Sequence, residues 1–132
     1  MHDWSNYVGI PFIDFGRDFS GCDCYGLVRL ALEQEFGKVL PSFLGEYDDT
    51  CDHETIEGII EHWKPLLSGR RVVTPREGDV VVITVAGAEA HVGLYVGDGL
   101  ILHAWKRATG SVLQRMDHPF FKGRIEGFYR VL

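Results

Sequence analysis

The chain has 132 residues, 45% of them apolar and 24% charged, with a formal charge of −6 and a pI near 5.4. That is enough for one domain, 1–132, whose core needs neither a disulfide nor a structural metal. The acidic balance, with Arg70-Arg71 and Lys106-Arg107 as the only basic doublets, argues against nucleic acid as a partner, and no apolar run approaches the roughly 18 residues of a membrane span, so no membrane insertion is expected.

Met1 is followed by the polar run His2-Asp3-Trp4-Ser5-Asn6, without the basic and apolar stretches of a cleavable leader. Synthesis in a reducing cytoplasm is therefore the expectation, compatible with later release by lysis or carriage in a particle. Cys22, Cys24 and Cys51 cannot all pair with one another, and Cys22 and Cys24 are badly placed for a bridge within one short loop. Free thiols are expected.

In chain order, an entry segment containing Tyr7-Val8-Gly9-Ile10-Pro11-Phe12 leads to a helix from about Cys24 to Phe36. Asp23 is its candidate N-cap, Leu27, Leu30, Ala31 and Phe36 its buried face, and Gly37 its stop. Leu40-Pro41-Ser42-Phe43 reads as a turn or crossover. A second helix is expected from near Asp52 or Thr55, with Ile56, Ile59, Ile60 and Trp63 on its apolar face, breaking at Pro65. Short β-type runs follow at 79–85, 91–96, 100–105, 111–115 and 127–131, punctuated by glycine. Asp98-Gly99 predicts a tight hairpin turn between Leu94-Tyr95-Val96 and Leu100-Ile101-Leu102. The fold class expected is α+β, a helix packed on a small antiparallel sheet or half-barrel.

The chemistry concentrates on Cys24. A cysteine at a helix start meets unpaired backbone N–H groups and the positive end of the macrodipole, which favour the thiolate over a thiol of ordinary pKa near ~8.5. A nucleophilic cysteine also needs a base and a group to orient that base. Of six histidines, only His91 and His103 lie in strongly apolar strands; His2, His53, His62 and His118 read as surface residues. A two-residue turn at Asp98-Gly99 pairs positions whose numbers sum to about 197, setting His91 near residue 106 and His103 near residue 94. The two histidines would then be diagonal neighbours, needing a bulge or a small register shift to meet.

Asp23-Cys24-Tyr25-Gly26-Leu27-Val28, Gly78-Asp79-Val80-Val81, His91-Val92-Gly93-Leu94-Tyr95-Val96-Gly97-Asp98-Gly99 and Leu102-His103-Ala104 resemble, in order and spacing, the NlpC-type (p-sixty) cysteine peptidases. The opening Tyr7 to Phe12 segment, with Gly16-Arg17-Asp18, is similar to the branch found in tail assembly proteins of tailed phages and gene-transfer particles. The resemblance implies a minimal papain-like fold and cleavage of peptidoglycan stem peptides at the γ-D-glutamyl–diamino acid bond, without a cofactor or metal. It implies Cys24 as nucleophile, His91 as general base and His103 as the residue orienting the imidazole. Asp23 would help recognise a free amino end of the stem peptide as well as cap the helix. Tyr25 replaces the serine commonest after the nucleophile, which bears on the substrate subsites, and Tyr47 is a candidate to line the cleft or to pack. Phage tail-tip proteins are implied partners, with action in the cell envelope.

Three other readings compete. Cys22, Cys24, His91 and His103 have zinc-compatible chemistry, although Cys-x-Cys is tighter than the usual Cys-x2-Cys spacing. The same triad could serve an acyltransferase or amidase. A structural tail-tip component with vestigial activity would keep Cys24 as well.

Overall fold

The computed structural model describes residues 2–42, 65–85, 88–105 and 110–132. The body of the expected second helix, Tyr47 and Cys51 lie outside the described residues; its expected break at Pro65 is not found, since residues 65–67 are helical.

Helix α1 spans Cys24–Phe36, as the capping signals predict. The Asp23 carboxylate accepts from the Gly26 N–H, and Gly37 closes the helix in the left-handed region at φ 67°. Its burial is wider than one stripe: Tyr25, Gly26, Leu27, Val28, Leu30, Ala31 and Leu32 are all buried. A helix covered on several sides loses the amphipathic contrast that a surface helix shows.

Ahead of it, β1 (Arg17–Asp18) and β2 (Gly21–Cys22) form a two-stranded ribbon packed on α1. These strands are too short to leave a periodic signal. Six more strands form one antiparallel sheet: β3 (Arg71–Val72), β4 (Val80–Val85), β5 (Ala88–Tyr95), β6 (Leu100–Trp105), β7 (Gly110–Arg115) and β8 (Ile125–Tyr129). Their order is β3-β8-β4-β5-β6-β7. Strand β4 sits inside the sheet with apolar side chains buried on both faces, Val80 and Val82 on one and Val81 and Ile83 on the other. This explains its unbroken Val-Val-Val-Ile run.

The two faces do different work. Val82, Val92, Leu94, Leu102 and Ala104 join α1 and the entry segment in the main core. Val81, Ile83 and Ile101 form a smaller core with Phe121, from the segment after β7. The entry segment also covers the β7 edge: Ser111 N–H donates to the Ile10 carbonyl at 2.9 Å, and Gly9 N–H to the Ser111 carbonyl at 2.9 Å. An edge strand left bare would be a template for another chain. His2, expected on the surface, is half-buried with its ring 4.5 Å from that of Phe36 and its Nδ1 3.0 Å from Glu35.

The β5–β6 hairpin departs from the expected turn in one respect that matters. Val96 N–H donates to the Leu100 carbonyl at 3.0 Å, so the loop is the three residues Gly97, Asp98 and Gly99, all at positive φ (91°, 54° and 74°). Pairs become Leu94↔Leu102 and Tyr95↔Ile101, summing to 196 rather than 197. One residue of slip reverses which side chains share a face, and the observed register puts His91, Gly93, Ile101 and His103 on the same one.

Gly26 is where the ribbon and helix approach most closely. A Cβ there would stand 2.0 Å from the Gly16 carbonyl oxygen. Helix propensity alone predicts that Gly26→Ala stabilises by about 1 kcal/mol; the packing predicts the opposite sign. Gly26→Ala should destabilise by about 1–3 kcal/mol, read as a lower urea midpoint with an unchanged m-value.

Candidate active site

Three elements converge on Cys24. The helix start supplies the residue, the Asp23 carboxylate fixes where that start lies, and β5 supplies the wall opposite. The backbone N–H groups of Val92 and Tyr25 favour negative charge on the sulfur. Val92 follows His91, so the fold sets the thiol against the strand position adjoining the imidazole.

The thiol is not ionised by its helix. Burial, and then the Asp23 carboxylate, push Cys24 up to about 12, outweighing the downward pull of the Val92 and Tyr25 N–H groups and of Arg17. This corrects the expectation of a thiolate at an exposed helix mouth: Cys24 is half-buried, and desolvating a charged sulfur costs more than the helix terminus returns. Cys22 is buried and its thiol donates to the Asp18 carbonyl at 3.1 Å. Burial pushes it to about 12 as well.

His91 and His103 are each 2% exposed, and His91 Nε2 lies 2.9 Å from His103 Nδ1. Two local features bring them together. Between Ile83↔His91 and Thr84↔Glu89 the β4–β5 register shifts, leaving Ala90 as an extra residue immediately before His91. Gly93 then clears the way across the hairpin, since a Cβ there would lie 3.2 Å from that of His103. Burial depresses the pKa of both rings, with His103 adding to the effect on His91. Both are therefore neutral bases in the folded protein.

The surrounding wall is aromatic. Trp105 stands edge-on to His91 at 4.9 Å between ring centroids, Phe120 stacks on His103 at 5.4 Å, and Phe121 meets His103 at 5.1 Å. On the far side, His103 Nε2 lies 2.6 Å from Gln114 Oε1. Gln114, Trp105 and Phe120 were not singled out from the sequence. A glutamine in a half-exposed strand is unremarkable by pattern, and nothing local in the chain indicates that residues 114 and 120 return to position 103.

Asp23 is completely buried. Its Oδ1 accepts from Gly26 N–H at 2.7 Å and from Arg17 at 2.9 Å, and its Oδ2 accepts from Phe15 N–H at 3.1 Å. The Tyr25 ring is buried, with Arg17 5.6 Å over it and its hydroxyl donating to the Pro41 carbonyl at 2.6 Å. Both residues anchor the nucleophile's surroundings, a role compatible with the substrate contacts expected of them from the sequence. The four groups of the zinc alternative are not gathered as a ligand set: among the described residues no three His, Cys, Asp or Glu side chains converge.

Comparison with known proteins gives the family and the fold. The NlpC/P60 family model matches residues 9–130. The chain is 24% identical over 132 residues to the Murein DD-endopeptidase MepS/Murein LD-carboxypeptidase of Escherichia coli (strain K12), covering all of this chain and 61% of that protein. An NlpC/P60 family protein from Bacillus cereus superposes with a TM-score of 0.68 at 21% identity, over 96% of this chain and 37% of that one. The NlpC/p60 domain of the peptidoglycan hydrolase SagA gives a TM-score of 0.60 at 20% identity, over 94% and 89%. Matched by that family model over nearly its whole length, the chain belongs to the NlpC/P60 family.

Proposed function

We propose that this protein is a cysteine endopeptidase that hydrolyses peptidoglycan stem peptides. The observation that carries the proposal is the meeting of a helix-start thiol with β5 beside a buried, hydrogen-bonded histidine pair. The peptidoglycan substrate is supported by the names of the relatives, one a murein endopeptidase and another a peptidoglycan hydrolase. The γ-D-glutamyl–diamino acid bond is our choice of scissile bond, resting on the motif resemblance. The likeness of Tyr7 to Phe12 and Gly16 to Asp18 to phage-tail proteins supports action in the cell envelope from a tail-like particle, with tail-tip proteins as partners.

Cys24 is the nucleophile and His91 the base. With His91 Nε2 turned to His103, Nδ1 is the nitrogen left to take the thiol proton as sulfur attacks the amide carbonyl. The oxyanion is met by the Cys24 backbone N–H, which lies in the first turn and has no carbonyl partner within the helix. The imidazolium then protonates the departing amine as the C–N bond breaks, leaving a thioester. Water, deprotonated by Nδ1, attacks the thioester and releases the carboxylate product and the thiol. His103 orients the His91 ring, and the aromatic wall keeps water from the pair.

Incubating the protein with purified muropeptides and following the products by mass spectrometry tests the reaction. Wild type should yield cleaved stem peptides and Cys24→Ala none, a loss of at least about 10³-fold. Cys22→Ser should stay within about threefold of wild type; a loss as deep as that of Cys24→Ala would move the nucleophile to Cys22. No product from wild type on any stem peptide would favour a structural role.

The pH profile tests the resting protonation state. A neutral thiol and a neutral imidazole require activity to be lost only as His91 gains a proton, below the ordinary histidine value of 6.5. On the alkaline side no loss is expected through the ordinary thiol value of 9.0, because the Cys24 proton is held to about 12. A profile of kcat/KM that falls between pH 7 and 9 would instead indicate a preformed thiolate–imidazolium pair.

A further inference from the structure

We propose that Gln114 is a positioning residue that, acting through His103, holds the His91 proton on Nε2 and leaves Nδ1 as the base toward Cys24. The inference rests on the assignment of Cys24 and His91 as nucleophile and base, and adds a fourth member to the chain behind them.

The argument follows from donors and acceptors. Gln114 presents its amide oxygen to His103 Nε2 at 2.6 Å, and a carbonyl oxygen can only accept, so His103 Nε2 carries a proton. A neutral imidazole has one N–H, hence His103 Nδ1 is bare and accepts. Its partner at 2.9 Å, His91 Nε2, must then donate. The one remaining ring nitrogen of His91 is a lone pair. Without Gln114 nothing in this chain of bonds prefers that order to its reverse, in which His91 Nδ1 would hold the proton and could not take another.

Register and packing make Gln114 suitable for the task. In the β6–β7 ladder His103 faces Val112 and Ile101 faces Gln114, so Gln114 is the diagonal neighbour of His103 on the same face. Phe120 stacks on the His103 ring, Phe121 meets its edge, and together they resist a flip that would exchange the two nitrogens. Among the described residues, the titratable groups facing the pair are Cys24 from α1, His118 from the segment after β7, and Arg124, whose guanidinium lies 5.4 Å over the Phe120 ring. His118 disfavours a charge on His103, and none of the three supplies a carboxylate to stabilise a resting imidazolium. A neutral amide is thus the acceptor that directs the proton without fixing a positive charge.

Long-range 15N–1H spectra of the histidine rings in the full chain test the proposal directly, with kinetics as the second reading. Wild type should show both His91 and His103 protonated at Nε2. Gln114→Leu, which removes the acceptor from a half-exposed strand position, should redistribute the His91 proton between its nitrogens and lower kcat on the order of 10–100-fold, with KM within about twofold. Gln114→Glu keeps an acceptor oxygen, removes the amide donor and adds charge. It should keep both Nε2 protons and most of kcat at alkaline pH, while moving the acid limb of kcat/KM upward by about one pH unit, because a carboxylate favours the protonated pair. His91 protonated at Nδ1 in wild type, or Gln114→Leu with wild-type ring spectra and wild-type kcat, would overturn the proposal. If wild type cleaves no stem peptide, the functional reading fails while the ring spectra still decide the proton order. If Gln114→Leu does not fold, wild type and Gln114→Glu decide it.

Discussion

The arrangement depends on one buried carboxylate. Asp23 is withdrawn from water, and an isolated charge there would cost several kcal/mol. It is tolerable because its oxygens are shared among the Gly26 N–H, the Phe15 N–H and the Arg17 guanidinium. Each partner belongs to a different stretch of chain: the helix, the loop before the ribbon, and β1. Arg17 extends the tie to the Ser42 carbonyl through Nε and Nη2. The helix start is thus not free to fray, and the thiol it carries has a fixed place relative to the sheet.

The same carboxylate shapes the chemistry. A helix N-terminus and two backbone N–H groups favour a thiolate, by an amount the dipole alone puts near 0.3–1 kcal/mol when exposed and up to about 2 when partly buried. Burial and a neighbouring negative charge act the other way and prevail. The imidazole side obeys the same rule, since burial penalises its charged form. Neither partner is charged at rest, so the proton must move as the substrate is attacked. The backbone N–H groups that favour negative charge on the sulfur still have a use, because such charge develops there during the reaction.

Precision in the histidine pair comes from small features of the sheet. One extra residue at Ala90, one missing side chain at Gly93 and one additional loop residue at Gly97 decide where two rings point. Each is a local change of backbone, and each acts at a distance because strand alternation carries it along the ladder. The solved relatives keep this architecture at about 20% identity. A packed helix on an antiparallel sheet tolerates many apolar exchanges that keep volume and patterning.

The sequence by itself determined α1 to the residue at both ends, because capping is local: Asp23 and Gly37 meet their partners within a turn. It determined the main strands, whose apolar runs and glycine punctuation are also local, and it drew attention to Cys24, His91 and His103. Only tertiary structure decided the ribbon at 17–22, the burial of Asp23 and Tyr25, and the neutrality of the thiol, since desolvation depends on what the rest of the chain covers. It also decided the odd-with-odd register of the β5–β6 hairpin. Asp98-Gly99 signals a turn, but whether the loop is two or three residues long depends on how β5 and β6 pack against β4, β7 and α1. The place of Gln114 follows from the β6–β7 register, which sets it against Ile101, and no local signal could have supplied it.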